Sequence, residues 1–144
     1  MSATSDAGRA PSRPTAAITI IPRSFAPQFL SILRIMTGLL LLEHGTGKLL
    51  GIPAGLPFID QMPAGMLYFT GTMELVGGIL ITIGLFTRPA AFVLSGFTAF
   101  AYFLAHFPRS FFPAINSGEA AVLYCFIFLY LAVAGPGPWS IDGE

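Results

Sequence analysis

Four long apolar stretches, each closed by a proline- or glycine-bearing segment, leave this chain very few folds. They run from about Pro27 to Leu50, Gly65 to Phe86, Pro89 to Phe107 and Gly118 to Ala134. A helix needs ~20 mostly apolar residues to cross a bilayer, and ~17 at the least. All four reach that lower bound, and each is hydrophobic nearly all round, unlike the half-polar surface helix of a soluble protein. Only 10% of the residues are charged and 54% are hydrophobic, against ~25% charged in a soluble domain. Such a chain cannot coat a globule with polar groups, so lipid must cover much of it. The expected fold is all-α, a transmembrane four-helix bundle.

The breaks set the domain plan. Gly51 to Ala64 carries Pro53, Pro57, Pro63 and Asp60 and reads as a loop. Thr87-Arg88-Pro89 is a tight break, with Thr87 or Arg88 expected at the cap of the next helix. Pro108 to Ser117 reads as a second loop, and Gly135-Pro136-Gly137-Pro138 stops the last helix. Residues 1–24, rich in Ala, Ser, Thr and Pro, form an expected disordered tail. Residues 25–138 form the transmembrane domain, and 139–144 a short polar tail. The run Ile18 to Ile21 is too small for a signal-peptide core, so the first helix is expected to act as an uncleaved signal anchor. Basic residues sort by side: Arg9, Arg13, Arg23 and Arg88 on one, Lys48 and Arg109 on the other. Both termini are therefore expected in the cytoplasm. Trp139, Tyr68, Phe107, Phe111 and Phe112 lie where interfacial aromatics belong.

Composition excludes several functions. Net charge is zero and there is no basic run for nucleic acid to neutralise. A single cysteine, Cys125, excludes an internal disulfide or a CxxC pair. Any electrons this protein handles travel on something else, and Cys125, mid-helix among Phe, Leu and Tyr, reads as a small buried hydrophobe.

The informative residues are the ionisable ones inside the apolar stretches, because each costs ~2.5–3.5 kcal/mol at the centre of a membrane helix. With the first helix running outward, His44 lies about 9 Å and Lys48 about 3 Å below its outer end, and Glu74 on the returning helix lies about 13 Å deep. His106 comes late in the third helix and Glu119 opens the fourth. Glu43, His44, Lys48, Glu74, His106 and Glu119 thus come from all four helices into the outer half. At 100° per residue, His44 and Lys48 share a face with Thr37, Leu41 and, more loosely, Arg34, whereas Glu43 points roughly opposite to Arg34. Glu74 shares its face with Gly71 and Gly78, and small residues let helices approach closely in lipid. Glu74 is therefore expected to point into the bundle, towards His44 or Lys48.

Two readings fit this cluster. Intramembrane ionisable groups mark sites by default, yet a carboxylate paired with Lys or His also fixes helix register without binding anything. Lys48 and Glu119 near the interface are explained by snorkelling, and Glu43 by the outer headgroups. Arg34 lies alone in the inner half, where a carbonyl, Tyr130 or an anionic headgroup would partner it. No two of the His and Glu residues have a ligand spacing such as Glu-x-x-His, so no metal is expected. Phe100, Tyr102, Phe103, Tyr124, Phe126, Phe128 and Tyr130 suit lipid contact and packing. They would also suit a flat apolar ligand such as a quinone or a sterol-like molecule.

These residues fall in an order that resembles the DoxX family of small four-helix membrane proteins. Arg34 is followed by His44-Gly45-Thr46-Gly47-Lys48, then Glu74-Leu75-Val76-Gly77-Gly78, Gly84-Leu85, Thr87-Arg88 and His106. Gly118-Glu119, Gly135-Pro136-Gly137 and Ser140-Ile141-Asp142 complete the pattern over about residues 29 to 142. Glu43 is a departure, since that place is usually apolar, and so is Pro138-Trp139. The resemblance implies a multi-pass protein of the bacterial plasma membrane, and a link to redox systems, as in the small subunit of a thiosulfate:quinone oxidoreductase. It implies in turn a small membrane subunit supporting a quinone-linked oxidoreductase, with a redox protein as partner, quinone as the bound cofactor and a homo-oligomer compatible with both. Glu74 with His44 would then handle protons. A non-enzymatic binder or transporter of a small or lipophilic molecule, and a structural assembly subunit, are the alternatives.

Overall fold

Helix α1, Ala26–Leu50, is one unbroken 25-residue rod in the computed structural model, which describes residues 20–57 and 59–143. Pro27 in its first turn costs no intrahelical bond, since the first N–H groups have no partner there anyway. Gly51 ends it in the left-handed conformation at φ 68°. Helix α2, Ala64–Ile83, follows Pro63 and stops in the same way at Gly84. Helix α3, Thr87–Ala101, continues through a π-helical turn, Tyr102–His106, and a 3-10 turn, Phe107–Arg109. A short α4, Pro113–Asn116, interrupts the stretch expected as loop, and α5, Glu119–Ala134, closes the order. Of the tail expected at 1–24, residues 1–19 lie outside the described part, and Arg23–Phe25 already form a 3-10 turn leading into α1. The described residues contain no strand.

Three helical runs are long and apolar enough to cross a membrane: Arg23–Leu50, Ala64–Ile83 and Thr87–Arg109. The apolar α5 has 16 residues, about 24 Å of helix, and falls short of that length. Large apolar side chains such as Ile32, Leu40, Val76, Phe92, Phe126 and Val133 face outward from all four long helices. That is the surface a lipid-embedded chain presents, and it would be a liability in water.

The helices pack as two pairs, α1 on α2 and α3 on α5, with thinner contact between the pairs. Glycine sets the first pairing. A Cβ at Gly78 would sit 2.7 Å from the Leu42 backbone nitrogen, and one at Gly38 would sit 2.7 Å from that of Thr82. A Cβ at Gly45 would sit closer still to the Leu75 backbone. Backbones this near gain dispersion contacts that lipid cannot match. The shared core is Leu41, Ile81, Leu94, Phe97, Phe128 and Leu131.

The end of the bundle where α2 turns into α3 is closed by Arg34. Its side chain is fully buried, and its guanidinium donates to Pro136 O at 2.8 Å, to Ile81 O and Thr82 O at 2.6 Å each, and to Trp139 O. The last carbonyls of α2 have no helical partner, and no water competes here, so a planar fork of five donors suits the place. A carbonyl was among the partners expected for Arg34. Carbonyls are the partners it has, and they hold it well away from the outer polar cluster.

The chain after α5 folds back over this end. Trp139 N donates to Ser31 Oγ at 3.2 Å, Ile141 N to Ile83 O at 3.2 Å and Asp142 N to Gly84 O at 2.9 Å. The Asp142 carboxylate accepts from Phe86 N and Thr87 N, both at 2.8 Å. It thereby caps α3, which neither Thr87 nor Arg88 does: Phe86 holds the cap position at φ 50° with no acceptor to offer, and Thr87 is the helix's first residue. Partial burial, the largest single influence, raises the Asp142 pKa. Hydrogen bonds from Thr87 and Phe86 and the nearby Arg34 charge together outweigh it and hold the carboxyl below its ordinary range.

Asp142→Ala should cost about 1 kcal/mol, the usual worth of a lost helix cap. Because the folded carboxyl titrates below its unfolded value, that contribution is complete above pH ~4 and fades as pH falls through the lowered folded value. Melting of the two proteins in mild detergent should therefore differ at neutral pH and converge in acid. Arg34→Met strands several buried carbonyls together and should cost ~3 kcal/mol or more, read as loss of the monodisperse peak in detergent size-exclusion chromatography.

Candidate functional site

The two helix pairs part towards the opposite end, where the α1–α2 loop and α4 lie, and leave a cavity of about 300 Å³ between them. On α1, His44 and Lys48 are one turn apart and both line it. On α2, Thr70 and Glu74 have the same spacing and face them. Lys48 Nζ bonds Glu74 Oε1 at 2.7 Å and Thr70 Oγ1 at 3.3 Å, and both charged side chains are about nine-tenths buried. Glu74 Oε2 is buried and has no hydrogen-bond partner among the described residues.

His44 Nδ1 lies 2.9 Å from Leu40 O, the carbonyl one turn back, and the ring stands edge-on to Tyr124 at 6.2 Å between centroids. His106 reaches the cavity from the π-helical turn, where one extra residue per turn shifts the face that α3 presents. Its Nδ1 lies 3.1 Å from Asn116 O and its ring stacks on Tyr102. Arg109 and Ser117, from the connection between α3 and α5, add polar lining, and the rest is mostly apolar. Phe69, Phe97 and Phe100 form one wall, Met62 and Met66 lie at the loop side, and Ala120 and Ala121 of α5 leave the room.

His44, Lys48, Glu74 and His106, from three helical runs, therefore share one cavity. Glu43 and Glu119, expected with them, do not line it, and neither does Arg34, a candidate site residue expected alone in the inner half. Glu43 is exposed, on the face of α1 turned from α2. Glu119 is exposed in the first turn of α5, where a carboxylate meets the positive end of the helix. Arg34 is at the far end of α1, held by backbone carbonyls. Of the aromatic set, Phe100 and Tyr124 line the cavity, Phe128 is core, and Phe103, Phe126 and Tyr130 face outward. Cys125 packs beside Ser95, whose hydroxyl donates to the Cys125 carbonyl at 2.9 Å. No group of three His, Cys, Asp or Glu side chains gathers for a metal among the described residues.

Thr70 was legible but missed, since it precedes Glu74 by one helical turn. Phe69, Phe97, Met62 and Met66 had no signal, because a lining apolar residue reads like a packing one. Chemically, the site is an apolar slot with an ion pair at its inner end and one carboxylate oxygen left to accept a hydrogen bond.

Comparison with known proteins agrees with this architecture. The model of the DoxX family matches residues 29–107, which hold His44, Lys48, Glu74 and His106. A Haemophilus influenzae protein, described as uncharacterized, is 40% identical over 83% of this chain and 92% of its own. The Escherichia coli inner membrane protein YqjF is 33% identical over 77% of this chain and 87% of its own. A Bacillus subtilis protein named "Putative oxidoreductase CatD" is 28% identical over 77% and 82%. No solved structure matches. With three membrane-length helices and these relatives, the chain belongs to the DoxX family and is a multi-pass protein of the bacterial inner membrane.

Proposed function

We propose that this protein is a small membrane subunit that holds a quinone-type ligand for an oxidoreductase partner. The observation that carries the reading is the Lys48–Glu74 pair at one end of an otherwise apolar, Phe-walled cavity. Ligand sites are typically apolar with a few placed polar groups, and about 300 Å³ suits a single substituted ring. Phe69, Phe100 and Leu104 line the cavity and are also exposed on the outer surface of α2 and α3. A mouth there opens sideways to acyl chains, which favours a lipophilic molecule over a polar solute. The name of the Bacillus subtilis relative supports an oxidoreductase context. In this reading the electrons travel on the ligand and the partner.

In this reading α5 makes a fourth crossing, extended by the chain on either side of it, and both termini face the cytoplasm. The cavity then lies in the outer half of the bilayer. Glu74 with Lys48 and His44 supplies acceptors and donors for the ring substituents, while the bundle holds the ring away from water. Pure helix glue is the competing reading, and the position of the ion pair between α1 and α2 favours it to that extent.

Protein purified from bacterial membranes in mild detergent should carry quinone, seen by organic extraction and mass spectrometry. Ala101→Phe, which fills the cavity, should purify without it. Quinone that is absent from both, or equal in both, would count against the reading. The double variant Lys48→Met/Glu74→Leu removes the pair without stranding a charge. It should melt within about 1 kcal/mol of the parent yet retain no quinone. Retention would favour glue.

A further inference from the structure

The Lys48–Glu74 end of this cavity, which Tyr124 and Arg109 also line, leaves one buried acceptor and one donor uncommitted. Lys48 binds Glu74 through Oε1 alone, at 2.7 Å, and leaves the buried Oε2 unpaired. A carboxylate oxygen beside an ammonium can only accept. His44 Nδ1 contacts the Leu40 carbonyl and His106 Nδ1 the Asn116 carbonyl. A carbonyl never donates, so Nδ1 carries a hydrogen in both rings. Lys48 has three ammonium hydrogens, of which Glu74 and Thr70 at 3.3 Å take two. One donor therefore stands beside the unpaired Oε2.

A hydroxyl answers both at once: it donates to Oε2 and accepts the third ammonium hydrogen. A carbonyl or ether oxygen can only accept, and leaves Oε2 buried and unpaired, a loss that binding sites discriminate against strongly. We propose that the cavity selects an apolar ring bearing a hydroxyl, the phenol or hydroquinone form, over its carbonyl or ether counterpart, with the hydroxyl donating to Glu74 Oε2. This rests on the cavity being a ligand site, as proposed above, and adds which chemical form it takes.

The probes are 4-heptylphenol and its methyl ether, which share ring and chain, differ by one methyl in place of the hydroxyl hydrogen and need no redox partner. Binding is measured on the full chain in lipid nanodiscs by equilibrium dialysis against empty nanodiscs, which corrects for partition into lipid. The phenol should bind about tenfold or more tightly than the ether. Ala121→Leu, which narrows the cavity from α5, should weaken both probes alike. Glu74→Gln places an amide hydrogen in reach of the ligand and should pull the preference towards one. Equal binding of phenol and ether to the parent protein overturns the hydroxyl selection while leaving the cavity a ligand site. Binding of neither, or phenol binding untouched by Ala121→Leu, overturns both. If Glu74→Gln does not fold, the ratio in the parent and the Ala121→Leu response still decide the matter.

Discussion

Lys48 reaches Glu74 because α1 and α2 lie backbone against backbone. Gly45 on one helix and Gly78 on the other leave no space for a Cβ. The Lys48–Glu74 pair then forms at 2.7 Å one turn further along. Lipid gives helices no hydrophobic reason to associate, so close packing and interhelical polar contacts must hold them together. Here both act on the same pair of helices. An extra methyl at Gly78 would push α1 away from α2 and lengthen the ion pair at the same time. The carboxylate would then face a low-dielectric interior without its cation, which is costly. Small residues thus place the charge, and the cavity depends on where the charge is placed.

The two ends of the bundle solve opposite problems. At the Arg34 end, four carbonyl bonds from one side chain, the returning tail and the Asp142 cap leave few backbone groups without a partner. That accounting is required where water cannot compete. At the Glu74 end, the helix pairs separate, alanines replace bulkier side chains, and Glu74 Oε2 remains unpaired. The Arg34 end has an unpaired buried atom too, Thr87 Oγ1, but only Glu74 Oε2 lies beside a cavity. Arg34 is more deeply buried than Glu74, and four of its five donors are already committed to carbonyls.

Much of this was legible in the sequence, and the parts that were not have a physical cause. The helices were legible because period and length speak directly in a membrane chain. The end of α1 was too, because Gly51 stops the helix through a backbone conformation glycine adopts freely, but α2 was read on to Phe86 although Gly84 ends it at Ile83 in the same way. The inward face of Glu74 came from Gly71 and Gly78. Arg34 was read at the right depth and with a carbonyl among its partners, but Pro136 and Trp139 could not be named, because pitch gives depth and face and not the path of a tail more than 100 positions later. The Asp142 cap is the same kind of miss: local rules seek a cap in the residue before the helix, and here the acceptor comes from 55 residues away. The π-helical turn that brings His106 to the cavity could not be read from a 3.6-residue period, since it breaks that period.

That turn bears on why the cavity is where it is. In a regular α-helix, residues four apart stack on one face, and α3 would keep the face that packs on α5 all the way to Arg109. The π-helical turn at Tyr102–His106 inserts one more residue and rotates the segment beyond it. His106 can then contact Asn116 of α4 while its ring stacks on Tyr102. Tyr102 and Asn116 in turn hold the chain between α3 and α5 through Phe111 O and Ser110 O. His106 and, beyond it, Arg109 line the cavity, so the irregular turn supplies part of the site that holds the Lys48–Glu74 pair.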